Sequence, residues 1–177
     1  MGKYNSNHNL KMKLFQAKVS YETTFDEKMS ESYLVEAPNY AFAEILIEKW
    51  VTRQYAYKKD SLKIDSLKVV KAELEMQELR EDQYPLFFLV TYQVDTISAD
   101  GNTAKSTTRK LFLSVEDFTA AFALATKFKK DFDGESSQET ILSIKDTPIV
   151  AFLEDSIVDE FIIERNKEDL ALEHQPN

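Results

Sequence analysis

The strongest constraint on this chain is a change of hydrophobic period that occurs twice. From Leu14 onward, Phe15, Ala17, Val19 and Tyr21 alternate with Gln16, Lys18, Ser20 and Glu22. A period of two marks a strand with one buried face and one wet face. A polar turn, Asp26-Glu27-Lys28, leads into a second apolar stretch, MSESYLVEA, and the two together read as a β-hairpin. After Pro38 the period lengthens. Tyr40, Ala43, Ile47 and Trp50 fall three or four apart, and Phe42, Ile45 and Leu46 widen that stripe. A helix over 38–56 is expected, opened by Pro38, whose missing N–H would be unpaired at a helix start in any case. The stretch SLKIDSLKVVKAELEMQEL then offers a long strand, with an end that also suits a helix.

The same succession returns in the second half. Val19-Ser20-Tyr21 matches Val90-Thr91-Tyr92, and YLVEAPNYAFAEIL (33–46) lines up with LFLSVEDFTAAFAL (111–124). Tyr33 then meets Leu111, Val35 meets Leu113, Tyr40 meets Phe118, Ala43 meets Ala121 and Leu46 meets Leu124, while Val70-Lys71 matches Ile144-Lys145. Asp100-Gly101 supplies a turn for the second hairpin, because this pair tolerates positive φ. Ser114 and Asp117 have cap-like spacing, so the second helix is expected from near Val115. The expected fold class is α+β: two tandem ββαβ units from an internal duplication, over 14–80 and 84–153, with helices packed on antiparallel or mixed sheet. Residues 1–13 read as a flexible arm. Residues 154–177 read as an amphipathic helical segment with a frayed end, its apolar side formed by Ile157, Val158, Phe161, Ile162 and Leu170.

Several short motifs carry a family resemblance. Lys18-Val19-Ser20-Tyr21-Glu22, Glu31-Ser32-Tyr33-Leu34-Val35-Glu36-Ala37 and Asn39-Tyr40-Ala41-Phe42-Ala43-Glu44 resemble the KVxYE, EPYLVDA and SFTEAEA patterns of an uncharacterised family of small proteins from Bacteroidetes and their phages or mobile elements. Lys145-Asp146-Thr147-Pro148-Ile149 is similar to that family's ETPI-like run. The resemblance covers roughly 14–153. Ser32 stands where the family often has Pro, and the loop after Trp50 differs. The resemblance implies a shared fold and origin and carries no activity.

Residue chemistry removes most catalytic classes. The chain has no Cys, so disulfides, thiolate metal sites and Cys nucleophiles are excluded. Its two His, His8 and His174, lie in the expected tails, where neither a triad nor a zinc site would be held rigidly. Its three Gly, at 2, 101 and 134, are too few and too scattered for a phosphate loop or a dinucleotide fold. Glu44 and Glu48 share a helix face with no further ligands at a recognisable spacing, and the Asp131–Glu135 stretch lacks the ligand pattern of a calcium loop. The reading is therefore non-enzymatic, with an enzyme using carboxylates alone as the remaining alternative. No cofactor, metal or small-molecule substrate is expected.

A net charge of −9 disfavours non-specific adhesion to nucleic acid or anionic membrane. Even so, basic residues cluster after both helices and on the strands. Lys18, Arg53, Lys58, Lys59, Arg109, Lys110, Lys127 and Lys130 are the candidate nucleic-acid contacts, with Tyr21, Tyr33 and Tyr92 as stacking surfaces for unpaired bases. Ile157, Val158, Phe161 and Ile162 are the candidate partner contacts. The favoured role is a binding or interaction module, taking a protein partner or a second copy. Single-stranded nucleic-acid binding and acidic mimicry of nucleic acid are the alternatives. The N-terminus MGKYNSNHNLKMK has no apolar h-region, and no stretch approaches the roughly 18 apolar residues of a membrane span, so a cytoplasmic location is expected.

Overall fold

The structure, a computed structural model, describes residues 11–58, 60–80, 83–97, 104–129, 137–156 and 158–159. These form a mixed α+β fold of eight strands in two sheets and two helices. The strands are β1 (Lys13–Glu22), β2 (Lys28–Ala37), β3 (Lys63–Val69), β4 (Glu73–Met76), β5 (Leu86–Ile97), β6 (Ala104–Val115), β7 (Ser137–Asp146) and β8 (Ile149–Leu153); the helices are α1 (Tyr40–Gln54) and α2 (Phe118–Lys127). The chain divides into two compact units, one of residues 1–70 and 152–177 and the other of residues 71–151. No helix among the described residues is long and apolar enough to cross a membrane.

In the first unit the alternation at 15–21 does what its period demands. Phe15, Ala17, Val19 and Tyr21 are buried on one face of β1, and the antiparallel ladder sets Phe15 opposite Val35 and Ala17 opposite Tyr33. Helix α1 buries Ala43, Leu46, Ile47 and Val51, an i, i+3, i+4, i+8 stripe. Its N-cap is Asn39 rather than Pro38: the Asn39 side chain accepts a hydrogen bond from the Phe42 N–H at 3.0 Å. An acceptor that satisfies a first-turn amide does more here than a proline that merely lacks one. The buried stripe is narrower than the spacing predicts. Tyr40, Phe42 and Ile45 are about half exposed, at 51%, 49% and 47%.

The second unit is built in the same way. Phe88, Val90 and Tyr92 of β5 pack with Leu111, Leu113 and Val115 of β6 beneath Ala121 and Ala125 of α2. Here α2 starts at Phe118, later than the expected start near Val115. Asp117 is the cap, accepting from the Ala120 N–H at 2.8 Å, while Val115 is still paired in the sheet opposite Leu86. The Asp100-Gly101 turn and the 131–136 stretch lie outside the described residues.

Sheet membership departs from a plain tandem arrangement. The long strand expected after Ser61 is two strands. Its first part, β3, pairs with β1; its second part, β4, runs parallel to β6 in the other sheet. The strand orders are β3-β1-β2-β8 and β4-β6-β5-β7. Each hairpin is thus flanked on one side by the strand that follows its own helix and on the other by a strand from the other half of the sequence.

Ladder registers also fix which residues correspond. Phe15 faces Val35 and Val19 faces Glu31; Phe88 faces Leu113 and Tyr92 faces Arg109. With Val35 matched to Leu113, Phe15 corresponds to Phe88 and Val19 to Tyr92, so the Val-Ser-Tyr/Val-Thr-Tyr match is displaced by two residues. A displacement of two keeps every side chain on its own face, so the apolar pattern could not reveal it. The hairpin ladders are continuous, and in both units the register shifts against the strand after the helix, β3 against β1 between Lys18 and Val19 and β7 against β5 between Thr91 and Tyr92. In both, the first residue of the helix meets the corresponding phenylalanine edge-on: Tyr40 on Phe15 at 5.0 Å and Phe118 on Phe88 at 6.0 Å between ring centroids.

Candidate functional site

Two of the candidate cations, Lys58 and Arg109, are committed to carboxylates. Lys58 follows α1 and reaches back to the β1–β2 turn, where it pairs with Glu22 and Asp26. Its hydrogen bond to Asp26 raises its pKa and holds the Asp26 carboxyl below the usual carboxylate range. Arg109 is more firmly held. Its guanidinium forms a two-point contact with Glu139 at 2.7 and 2.9 Å, bonds Glu73 and the Phe128 carbonyl at 2.9 Å each, and lies 4.2 Å from the centre of the Tyr92 ring. The Glu139 hydrogen bond is the main reason its pKa is raised. Arg109 is only 14% exposed at its side chain and Glu139 1%, so this cation is spent on the fold. Lys18 on β1, Arg53 in the last turn of α1, Lys110 on β6 and Lys127 at the end of α2 are exposed. Lys59 and Lys130 lie outside the described residues.

The proposed stacking aromatics are interior side chains. Tyr21, Tyr33 and Tyr92 are 3%, 0% and 0% exposed, because they lie on the helix-facing sides of their sheets. Bases cannot reach them. Tyr92 donates to the Ala125 carbonyl of α2 at 2.8 Å, joining sheet to helix. In the first unit three tyrosines gather around one half-buried carboxylate. Tyr33 and Tyr55 donate to Glu31, the latter at 3.1 Å, and Tyr21 stacks on Tyr55 at 5.3 Å. The Tyr21 hydroxyl is buried without a hydrogen bond of acceptable geometry. Burial first, and then the Glu31 charge, push the Tyr21 hydroxyl above the ordinary phenol range; burial and the Glu31 hydrogen bond do the same to Tyr33. Such phenols stay protonated, which suits them to donating hydrogen bonds and not to acting as bases. Among the described residues, no group of three or more His, Asp or Glu is placed to hold a metal ion.

The exposed feature with a shape is on α1. Phe42, Ile45, Lys49 and Thr52 follow one another three or four residues apart and form an outward stripe opposite the buried one. Along it lies a groove of about 280 Å³, lined by Ile45, Glu48, Lys49, Thr52 and Arg53. The chain's own C-terminal segment comes to this groove. The Val158 amide donates to the Glu154 carbonyl at 3.0 Å, Val158 is fully buried, and Asp159 pairs with Lys49 at 3.4 Å. Of the candidate partner contacts, Val158 is therefore an interior residue, while Ile157, Phe161 and Ile162 lie outside the described residues. Sequence reasoning placed Ile45 and Phe42 in the buried stripe and so missed this face. The signal was present in the spacing of 42, 45, 49 and 52, which runs beside that of 43, 47 and 51. A second hollow, of about 360 Å³, sits at the open end of the first sheet between Lys28, Lys63 and Asp60, where charges of both signs meet.

A family profile described as "Domain of unknown function (DUF4494)" matches residues 13–155. No curated protein and no solved structure matches the chain.

Proposed function

The chain belongs to the DUF4494 family, a domain of unknown function, and on that premise we propose that it is a non-enzymatic binding module that takes a protein segment along the outward face of α1. The observation that carries this reading is the half-exposed Ile45, with Phe42 one turn before it, at a groove whose lining also holds Lys49 and Arg53 beside Glu48. Apolar anchors beside cations suit an amphipathic segment carrying acidic residues, in the manner of a helix laid into a groove. The reading of the scaffold as one ββαβ blueprint written twice is supported by the shared strand order, the corresponding register shifts and the corresponding ring contacts. A nucleic-acid surface has less support. Two of its cations, Lys58 and Arg109, are paired with carboxylates, and its aromatics are buried.

Panning a random peptide library against the folded full-length chain tests the reading. Enriched peptides should combine apolar residues at helical spacing with Asp or Glu, and Ile45→Arg should abolish their binding. Ala123→Arg, the corresponding position on α2, should leave it intact. No enrichment, or binding indifferent to Ile45→Arg, refutes the proposal.

A further inference from the structure

The loop between β1 and β2 holds an aromatic ring out into solvent. Phe25 is 83% exposed, yet the backbone that carries it is tied down. The Thr23 hydroxyl accepts from the Phe25 N–H at 3.3 Å and from the Glu27 N–H at 3.2 Å. The Thr23 N–H donates to the Glu27 carbonyl at 2.8 Å, and the Asp26 N–H to the Thr23 carbonyl at 3.1 Å. From the segment after α1, the Ala56 carbonyl accepts from the Thr24 N–H at 3.2 Å, and Lys58 pairs with Asp26. A ring presented on a loop already fixed loses little further entropy on binding, and large aromatic side chains are frequent anchors of protein interfaces.

The groove on α1 of the same unit complements this loop. Its apolar wall is the half-exposed Ile45. Its charges are of both signs. Lys49 is engaged by Asp159, whereas Glu48 and Arg53 are exposed and have no ion pair among the described residues. The loop matches that pattern. Asp26 is engaged by Lys58, whereas Glu27 and Lys28 are exposed and have no ion pair among the described residues. One acid and one base on each side can therefore pair across a contact centred on a ring. Ala56, which anchors the loop, is three residues beyond Arg53 and so within about 11 Å of it along the chain. Loop and groove are neighbours, the arrangement in which a twofold axis lets each copy's loop enter the other's groove and closes the assembly at two.

We propose that the occupant of the α1 groove is the β1–β2 loop of a second copy of this chain, with Phe25 seated against Ile45, Glu27 against Arg53 and Lys28 against Glu48. This inference rests on the reading of α1 as the binding face and names what binds there. A net charge of −9 opposes self-association at low ionic strength. The contact is therefore measured at physiological salt, where a Debye length of about 8 Å screens distant charges and spares contacting pairs.

Sedimentation equilibrium of the full-length chain from about 1 μM to 1 mM, dissociation constants typical of weak to moderate contacts, should show a monomer–dimer equilibrium. Phe25→Ala and Ile45→Arg should each weaken it about tenfold or more, while Phe25→Leu retains most of it. Glu27→Arg and Arg53→Glu should each weaken it alone, and an equimolar mixture of those two variants should recover it, because every contact then meets its opposite charge. A chain that stays monomeric to the highest concentration overturns the second-copy claim, as does a dimer indifferent to Phe25→Ala. Assemblies that grow beyond two overturn the twofold closure. Either of the first two results, with panned peptides still bound in an Ile45-dependent way, leaves the α1 reading standing. Loss of that Ile45 dependence removes the α1 reading itself.

Discussion

Replacing Arg109 with Met tests how the second unit holds its interior charge. The side chain is 14% exposed and its partner Glu139 only 1%, and the two meet through two parallel hydrogen bonds of 2.7 and 2.9 Å. Met keeps much of the aliphatic bulk against the Tyr92 ring but removes the charge and all four hydrogen bonds. A buried carboxylate deprived of its main cation typically costs about 3–5 kcal/mol. Glu73, 54% exposed, is the minor member, and Glu73→Gln should cost under about 1 kcal/mol. Urea unfolding should therefore show a large fall in midpoint for Arg109→Met at an unchanged slope. Arg109→Met/Glu139→Met, which removes both charges, should recover most of the loss, because the penalty comes from the stranded carboxylate and not from a missing attraction. A single-mutant cost below about 1 kcal/mol, the value of a solvent-screened pair, would refute the reasoning. So would a double mutant no better than the single.

Three further outcomes follow from the same structure. Tyr92→Phe should destabilise by about 1 kcal/mol through the lost bond to the Ala125 carbonyl, whereas Tyr21→Phe removes a buried, unpartnered hydroxyl and should be neutral or stabilising; equal losses in thermal unfolding would contradict the assignment. Lys58 holds the Asp26 carboxyl below its ordinary value, so its folded pKa is below its unfolded one. That contribution is present above the unfolded carboxylate pKa of about 3.9 and is lost as pH falls through the folded value. Lys58→Met should flatten this part of the acid limb of the stability curve, and an unaltered limb in urea titrations across that range would count against the pairing. Finally, cutting the chain between β4 and β5 should leave two fragments that co-elute under native conditions, because the first fragment supplies β4 to the second sheet and the second supplies β8 to the first. Fragments that separate on gel filtration without denaturant would contradict the strand orders.

The parts of the fold that were legible are those written in local period. Phe15 to Tyr21 and the stripe of Ala43, Leu46 and Ile47 each announce one face, and each buries it, whereas Tyr33 to Ala37 also buries Leu34 on the opposite face. What period cannot encode is partnership. Nothing in Glu73-Leu74-Glu75-Met76 says that it will run beside Leu111–Ser114 rather than extend the pairing with β1. That choice is made by the whole sheet, after the strands exist. Register was illegible for a related reason, since Val-Ser-Tyr and Val-Thr-Tyr match in chemistry and face but not in rung. Cation counting failed at Arg109 because Glu139, which claims it, is 30 residues away in sequence and only the sheet brings it close.

Comparing equivalent rungs of the two hairpins shows where the two units differ. Glu31 and Arg109 occupy equivalent rungs, one answered by tyrosines and the other by carboxylates, so the two units place opposite charges at that position. Both arrangements engage these interior charges in hydrogen bonds within the fold. The outward helix faces diverge too. Phe42 and Ile45 on α1 correspond to Ala120 and Ala123 on α2, and the half-exposed Phe122 of α2 corresponds to Glu44. The outward face of α1 opens into a groove lined by Ile45, Glu48, Lys49, Thr52 and Arg53, whereas α2 carries Ala120 and Ala123 where α1 has Phe42 and Ile45. That asymmetry, and not the presence of exposed apolar residues alone, is why α1 is the face assigned to a partner.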